Sequence, residues 1–243
     1  MFARLDVGLL AFAVADNHVH VLASGSRYRI GEALRRFEAL VVQSMRLGTT
    51  FDRCYLKPVD SKQYLRRCFR YVLSQVEHHG IDADPLLEGT SLHELCGLRR
   101  GEDLRFRVAK HLGSPDVSPL MSELAVTPGL LEEWTEPLQS SELGVLRSAT
   151  QAALEIESLL GRSGTSVRAR EAAVIAVSQD AAPKDIAEAL GCGARTVQRM
   201  RSASSPPVDA IHSIRRRARL QLAVAQRQQG EAEAPLGVTS SAG

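Results

Sequence analysis

The chain has 243 residues, enough for one medium domain or two small ones, and 24% of them are charged, with a formal net charge of +2. So small an excess of positive charge excludes nucleic-acid binding by overall charge alone, and no stretch is long and apolar enough to cross a membrane. Cys54, Cys68, Cys96 and Cys192 stand far apart with no CxxC pair, which excludes a disulfide framework and fits reduced thiols in a cytoplasmic protein.

The first element runs from Asp6 to Ser24. Two apolar runs, VGLLAFAV and HVHVLAS, flank Ala15-Asp16-Asn17, whose Asp and Asn are turn formers, so the segment predicts a β-hairpin. Arg4 ahead of VGLLAFAVA also has the outline of a short signal peptide. Asp6 interrupts its approach and the apolar core is short, which favours the strand. The strand period of two sets His18 and His20 on one face and Val19 and Val21 on the other.

YRIGEALRRFEALVVQSMRLG then carries Ile30, Leu34, Phe37, Leu40, Val41 and Met45 at helical spacing and stops at Gly48, predicting an amphipathic helix. FDRCYLKPV predicts a third strand. A helix follows from about Ser61 to His79, ended by Gly80 and Pro85. Unrolled at about 100° per residue, it places Leu65, Phe69, Val72 and Val76 on a narrow core stripe. Tyr71 and Gln75 lie one turn apart and off that stripe, while Arg66, Arg67 and Arg70 occupy a further face.

Residues 84 to 113 read as irregular apart from a short helix near Ser91 to Gly97, and the prolines between Ser114 and Pro137 mark a connector. SELGVLRSATQAALEIESLLG predicts a connecting helix. PKDIAEALGCGARTVQRM, Pro183 to Met200, fits a helix-turn-helix: Pro183 opens the first helix, Ala187 allows close approach, Gly191 makes the turn, and Ile186, Leu190, Val197 and Met200 fill the core. Its second helix turns Arg195, Thr196, Gln198 and Arg199 toward DNA. From Ala194 to Gly230 there are eight arginines and a single acid, Asp209. Among them Arg215 and Arg216 are expected to meet phosphates, with a solvated helix face as the plain alternative.

By itself an H-x-H pair is more often incidental than functional. Two imidazoles and one amide oxygen, however, can hold a divalent cation with positions left open. A phenol beside such an ion can attack phosphorus and form a covalent intermediate.

The order strand, DNHVHVL, helix, CYLKPVDSKQYL and RYVLSQVEHHGIDADPL resembles the single-tyrosine HUH transposases over roughly residues 5 to 97. The branch it is most similar to is that of the REP-associated tyrosine transposases, related to the smallest insertion sequences. The family's P-N-H-V-H-like motif is ADNHVH here, its R-Y-K-x-x-x-V strand is RCYLKPV, and its tyrosine with Asn or Gln four residues on is Tyr71 with Gln75. The resemblance implies His18, His20 and Gln75 as metal ligands, Mg2+ or Mn2+ as the ion, and Tyr71 as the nucleophile that joins a 5′ phosphate of single-stranded hairpin DNA. The family's N-P-V-R-A-G is Q-V-E-H-H-G here, which removes an arginine and brings His78 and His79 near the site. Family members begin earlier, with a first strand and helix, so the resemblance implies an N-terminally truncated domain.

The expected fold is α+β: a ferredoxin-like HUH domain over 1–112, a linker and connecting helix over 113–161, an all-α helix-turn-helix domain over 162–229 and a disordered tail over 230–243. The expected function is DNA nicking and strand transfer, with Lys57, Arg67 and Arg70 helping to hold single-stranded DNA and the helix-turn-helix holding duplex, at the nucleoid in the cytoplasm and with no membrane partner. A homodimer is left open. Two other readings stand beside it: a non-catalytic DNA-binding relic or repressor, and a replication-initiator-like nickase.

Overall fold

A computed structural model describes residues 2–15, 18–46, 48, 51–52, 54–79, 84–86, 88–120, 126–203 and 205–233. The chain divides into two compact units, Met1–Cys96 with Gly101–Pro128 and Gly97–Arg100 with Gly129–Gly243. The class is α+β, with the strands in the first unit and helices in both.

In the first unit, β1 (Gly8–Ala15) and β2 (His18–Ser24) pair antiparallel, with Ala15 opposite His18, Ala13 opposite His20 and a bulge between Leu9 and Ala11. The predicted hairpin is present; its turn residues Asp16 and Asn17 lie outside the described residues. Ala11, Ala13 and Ala15 are buried, and these small side chains let helices come close to the strand. Helix α1 (Arg27–Met45) starts where the Ser26 hydroxyl accepts the Arg29 N–H, the usual serine N-cap. It ends at Arg46, which takes the left-handed conformation at φ 50°, two residues short of the expected Gly48.

The expected third strand at 51–59 does not form: the described residues from Phe51 to Asp60 are in neither strand nor helix. Pro58 has no N–H to give a ladder, and a cavity of about 550 Å³ lies between this stretch and β2. The other edge of β1 is met instead by residues 89–91. Val14 N–H donates to the Gly89 carbonyl at 2.7 Å and Ser91 N–H to that of Phe12 at 3.0 Å, around an antiparallel bridge between Ala13 and Thr90.

Helix α2 (Lys62–Leu73) begins at Ser61, whose hydroxyl accepts the Tyr64 N–H. The expected single helix to His79 is interrupted at Ser74, and α3 (Gln75–His78) follows. Gly80, its expected terminator, lies outside the described residues. After α4 (Leu92–Leu95), the region read as irregular contains α5 (Glu102–Leu112), which buries Leu104, Val108 and Leu112 at four-residue spacing. Helices α2 and α5 both pack on β1.

The second unit is built from α6 (Pro128–Glu133), a tight 3-10 turn (Ser140–Val145), α7 (Leu146–Leu154), α8 (Gly164–Ala176), α9 (Pro183–Leu190), α10 (Ala194–Ala203) and α11 (Val208–Glu233). Its core joins Leu146, Ala173, Ile186, Leu190, Val197 and Ile214. Leu138, Leu143, Ala149 and Leu159, from the stretch read as linker and connecting helix, belong to the same core. Helix α11 continues past Gly230, where the tail was expected to start, and residues 234–243 lie outside the described residues.

Candidate functional site

The alternation along β2 brings the rings of His18 and His20 to the same side, 4.7 Å apart between centroids. His79, just beyond the end of α3, approaches His18 at 4.8 Å. Tyr71, near the end of α2, stands 5.4 Å from His20, and His78 lies 5.8 Å from Tyr71 and 5.3 Å from His79. Each ring therefore has two ring neighbours, and the five close into a circuit. One ligand nitrogen from each of His18, His20 and His79 lies within 4.8 Å of the other two.

Gln75 and Tyr71, read from the sequence as one turn apart and off the core, differ sharply in exposure: Gln75 is fully buried and Tyr71 is 48% exposed. The interruption at Ser74 explains the arrangement. The Tyr71 carbonyl accepts from the Gln75 side-chain amide at 2.6 Å and from the Ser74 hydroxyl at 3.4 Å. With its nitrogen committed to that carbonyl, the buried Gln75 Oε1 has no hydrogen-bond partner among the described residues, and neither has the buried His20 Nε2. Burial, with the neighbouring charges of His18, His79 and His78, pushes the His20 pKa below its ordinary value, which keeps the ring in the neutral, ligating form.

A divalent ion fits this donor set. Buried polar atoms without partners are uncommon in native proteins, and neutral imidazoles converging from two elements are what borderline cations bind. His18, His20 and His79 could hold the ion, with the Gln75 oxygen a further candidate. As a candidate ligand, His79 was missed from the sequence; the signal available was a second histidine pair, His78-His79, at the foot of the tyrosine helix.

The expected cations near this site are exposed. Lys57 Nζ sits over the Tyr64 ring, 5.4 Å from its centroid, and the side-chain hydrogen bond to Tyr64 raises its pKa. Arg67 and Arg70 lie on the open side of α2.

In the second unit, α9 ends at Gly191 in the left-handed conformation, φ 67° and ψ 41°, with its N–H on the Glu188 carbonyl. Helix α10 then buries Val197 and Met200 and leaves Arg195, Gln198 and Arg199 exposed, while Thr196 is half-buried. Most of the arginine cluster works otherwise than expected. Arg215 donates to the carbonyls of Ala176 at 2.9 Å, Thr135 at 2.6 Å and Ile175 at 3.1 Å, and Arg216 to that of Leu131 at 2.8 Å. These two guanidiniums brace the helical unit from within rather than standing open to phosphates. Arg201 caps the carbonyls of Ser178 and Ala181, Arg219 pairs with Glu142, and Arg217 is only 3% exposed. Of the eight, Arg195, Arg199 and Arg227 are the exposed ones.

Compared with protein-family models, with curated proteins and with solved structures, the chain matches none.

Proposed function

We propose that the chain is a metal-dependent, single-tyrosine DNA nickase and strand transferase of the HUH type, acting on single-stranded hairpin DNA. Its first unit would be a ferredoxin-like HUH domain and its second a helix-turn-helix that holds duplex at the nucleoid. The observation that carries the reading is the meeting of Tyr71 with His20 and His18, three side chains from α2 and β2 that share one edge-on cluster.

In this reading the Tyr71 hydroxyl attacks the scissile phosphorus, a tyrosine–phosphate bond forms, and the bond to the 3′ oxygen breaks. The phenol gives up its proton and the departing 3′ oxygen takes one up. His18 and His20, with the Gln75 oxygen or His79, would hold a divalent ion, whose chemistry there would be to polarise the phosphate and offset its developing charge. Tyr71 is half exposed, so a strand can reach it, while Gln75 grips its backbone from the buried side. Lys57, Arg67 and Arg70 supply cations for the backbone of that strand.

The test is a denaturing gel of the protein incubated with Mn2+ and labelled hairpin DNA. A covalent adduct is expected with wild type and none with Tyr71→Phe; an adduct in the variant would give the nucleophile's role to another residue. A second reading, a non-catalytic DNA-binding protein, is favoured by the exposed Arg195, Gln198 and Arg199 on α10. Duplex binding without any adduct would decide for it.

A further inference from the structure

The two edges of the small sheet are treated differently. On the outer edge of β1, Phe12 N–H donates to the Ser91 hydroxyl and its carbonyl accepts from Ser91 N–H, both at 3.0 Å, and Val14 N–H donates to the Gly89 carbonyl. Successive residues of a strand turn their backbone groups to opposite edges, so Ala13 and Ala15 face β2 and form the hydrogen-bonded pairs with His20 and His18. Val19 and Val21, opposite Val14 and Phe12, therefore aim their N–H and C=O groups away from β1. Among the described residues β2 pairs with β1 alone, and the cavity of about 550 Å³ lies along its other edge, lined by Val19 and Val21.

We infer that this cavity is a binding groove for an extended acidic segment of another protein, which adds as a strand to the edge of β2 at Val19 and Val21 and sets an acidic side chain on Arg27. The inference goes beyond the nickase reading and does not depend on it. An open edge is a template for a further strand, and proteins that avoid such pairing place Lys, Pro or a bulge there. HVHVLAS has no Lys or Pro, and the sheet's bulge falls on β1. From Val19 to Ala23 the edge offers four steps, about 13 Å, enough for a strand of ordinary length. Ile30, Leu34, Leu56 and Leu65 line the same cavity and can take alternate apolar side chains of the added strand.

Charge selects the occupant. Arg27, the first residue of α1, lines the cavity beyond the end of β2 and is exposed. Its guanidinium adds to the positive end of the helix, an arrangement that a carboxylate relieves on both counts. A nucleic-acid strand would bring negative charge too, but not the N–H and C=O groups alternating at strand spacing that the edge of β2 can pair with.

The test uses the full chain and a fluorescein-labelled synthetic peptide of alternating Val and Thr with two Asp at each end. Fluorescence anisotropy should show saturable binding below about 1 mM, an affinity ordinary for weak recognition. In amide exchange followed by NMR, the peptide should slow the Val19 and Val21 N–H by about tenfold or more, and change little at His18 and His20, which are already bonded to β1. Methylating the peptide's backbone nitrogens at alternate residues should abolish binding for one set of positions and spare it for the other, since only every second N–H of an added strand faces its neighbour. Lys in place of the Asp residues, or Arg27→Glu in the chain, should each weaken binding about tenfold, and the two together should restore it. Glu suits the first turn of a helix, so this variant should keep the circular dichroism of wild type.

No saturation up to that concentration, protection that spares Val19 and Val21, or equal effects of the two methylated sets would overturn the inference. So would protection of these amides that grows with chain concentration without peptide, which would give the edge to a second copy. Protection of the same amides by a single-stranded oligonucleotide in place of the peptide would give the cavity to nucleic acid and overturn it as well.

Discussion

The phenol of Tyr71 stands edge-on to the imidazole of His20, centroids 5.4 Å apart and ring planes at 82°. The edge of one ring meets the face of the other, the arrangement aromatic quadrupoles favour. What holds Tyr71 there is local: the chain breaks helical regularity at Ser74, and the buried Gln75 amide closes onto the Tyr71 carbonyl at 2.6 Å.

Gln75→Ala should therefore destabilise the first unit and displace the tyrosine. The change empties a fully buried site and removes a donor from a carbonyl, for a cost of about 2 kcal/mol. Urea unfolding followed by circular dichroism would measure it. A cost below about 0.5 kcal/mol, the range of ordinary surface changes, would show that the amide is not a clamp.

Tyr71→Phe, by contrast, keeps the ring and removes only a hydroxyl from a side chain that is 48% exposed. Its unfolding free energy should stay within about 0.5 kcal/mol of wild type, so loss of the DNA adduct in this variant reads directly as loss of the nucleophile. A clear drop in stability would make that assay uninterpretable and give the hydroxyl a structural role.

Much of this was legible in the sequence, and the failures have physical causes. The hairpin was readable because alternation along a strand is local, and so was the turn at Gly191, where one residue type suits the left-handed backbone. The strand expected at 51–59 failed because pairing is not local: its pattern was apolar enough, but a cavity lies between it and β2 and Pro58 has no N–H for a ladder. Helix α5 was missed because Leu104, Val108 and Leu112 are widely spaced among charged residues. For the arginines, sequence counts charge but cannot show which guanidiniums face carbonyls left open at helix ends. His79 escaped notice as a candidate ligand because its neighbours His18 and His20 lie on β2, and no spacing rule links the two.

The division among the arginines makes a paired prediction. Arg215 meets the Ile175 and Ala176 carbonyls at the end of α8, where orphan acceptors and the helix dipole both favour a cation. Arg215→Ala should cost about 2 kcal/mol by the loss of these charged hydrogen bonds. Arg199→Ala should leave stability unchanged and weaken duplex binding, read by fluorescence anisotropy. If Arg199→Ala binds duplex as well as wild type, α10 is not the DNA-facing helix.

Gly191 supports a second contrast. Its φ of 67° suits glycine, and an added Cβ would lie 2.9 Å from Arg147 Nη2 and 3.1 Å from Leu160 Cδ2. Gly191→Ala should cost about 1 to 2 kcal/mol from backbone strain and crowding. Gly193, two residues on, has no atom within 3.8 Å of the corresponding position, so Gly193→Ala should be nearly silent. Equal losses of thermal stability for the two would refute the turn's dependence on the left-handed backbone.

The pH dependence of the second unit should follow His212 on α11. Burial first, then the charges of Arg216 and Arg215, lower its pKa, and Asp209 opposes them only in part. The folded state therefore releases the His212 proton more readily than the unfolded state does. Between the lowered folded value and the ordinary value near 6.5, the unfolded chain carries more protons, so stability rises with pH through that window. It is lost progressively as pH falls below the ordinary value and levels off once the folded value is passed. Trp134, the single tryptophan, lies in this unit and reports its unfolding separately by fluorescence. Urea midpoints measured across about pH 5 to 8, the range in which histidine titrates, should climb with pH in wild type, and His212→Gln should flatten the climb. An unchanged slope in the variant would assign the dependence to another group.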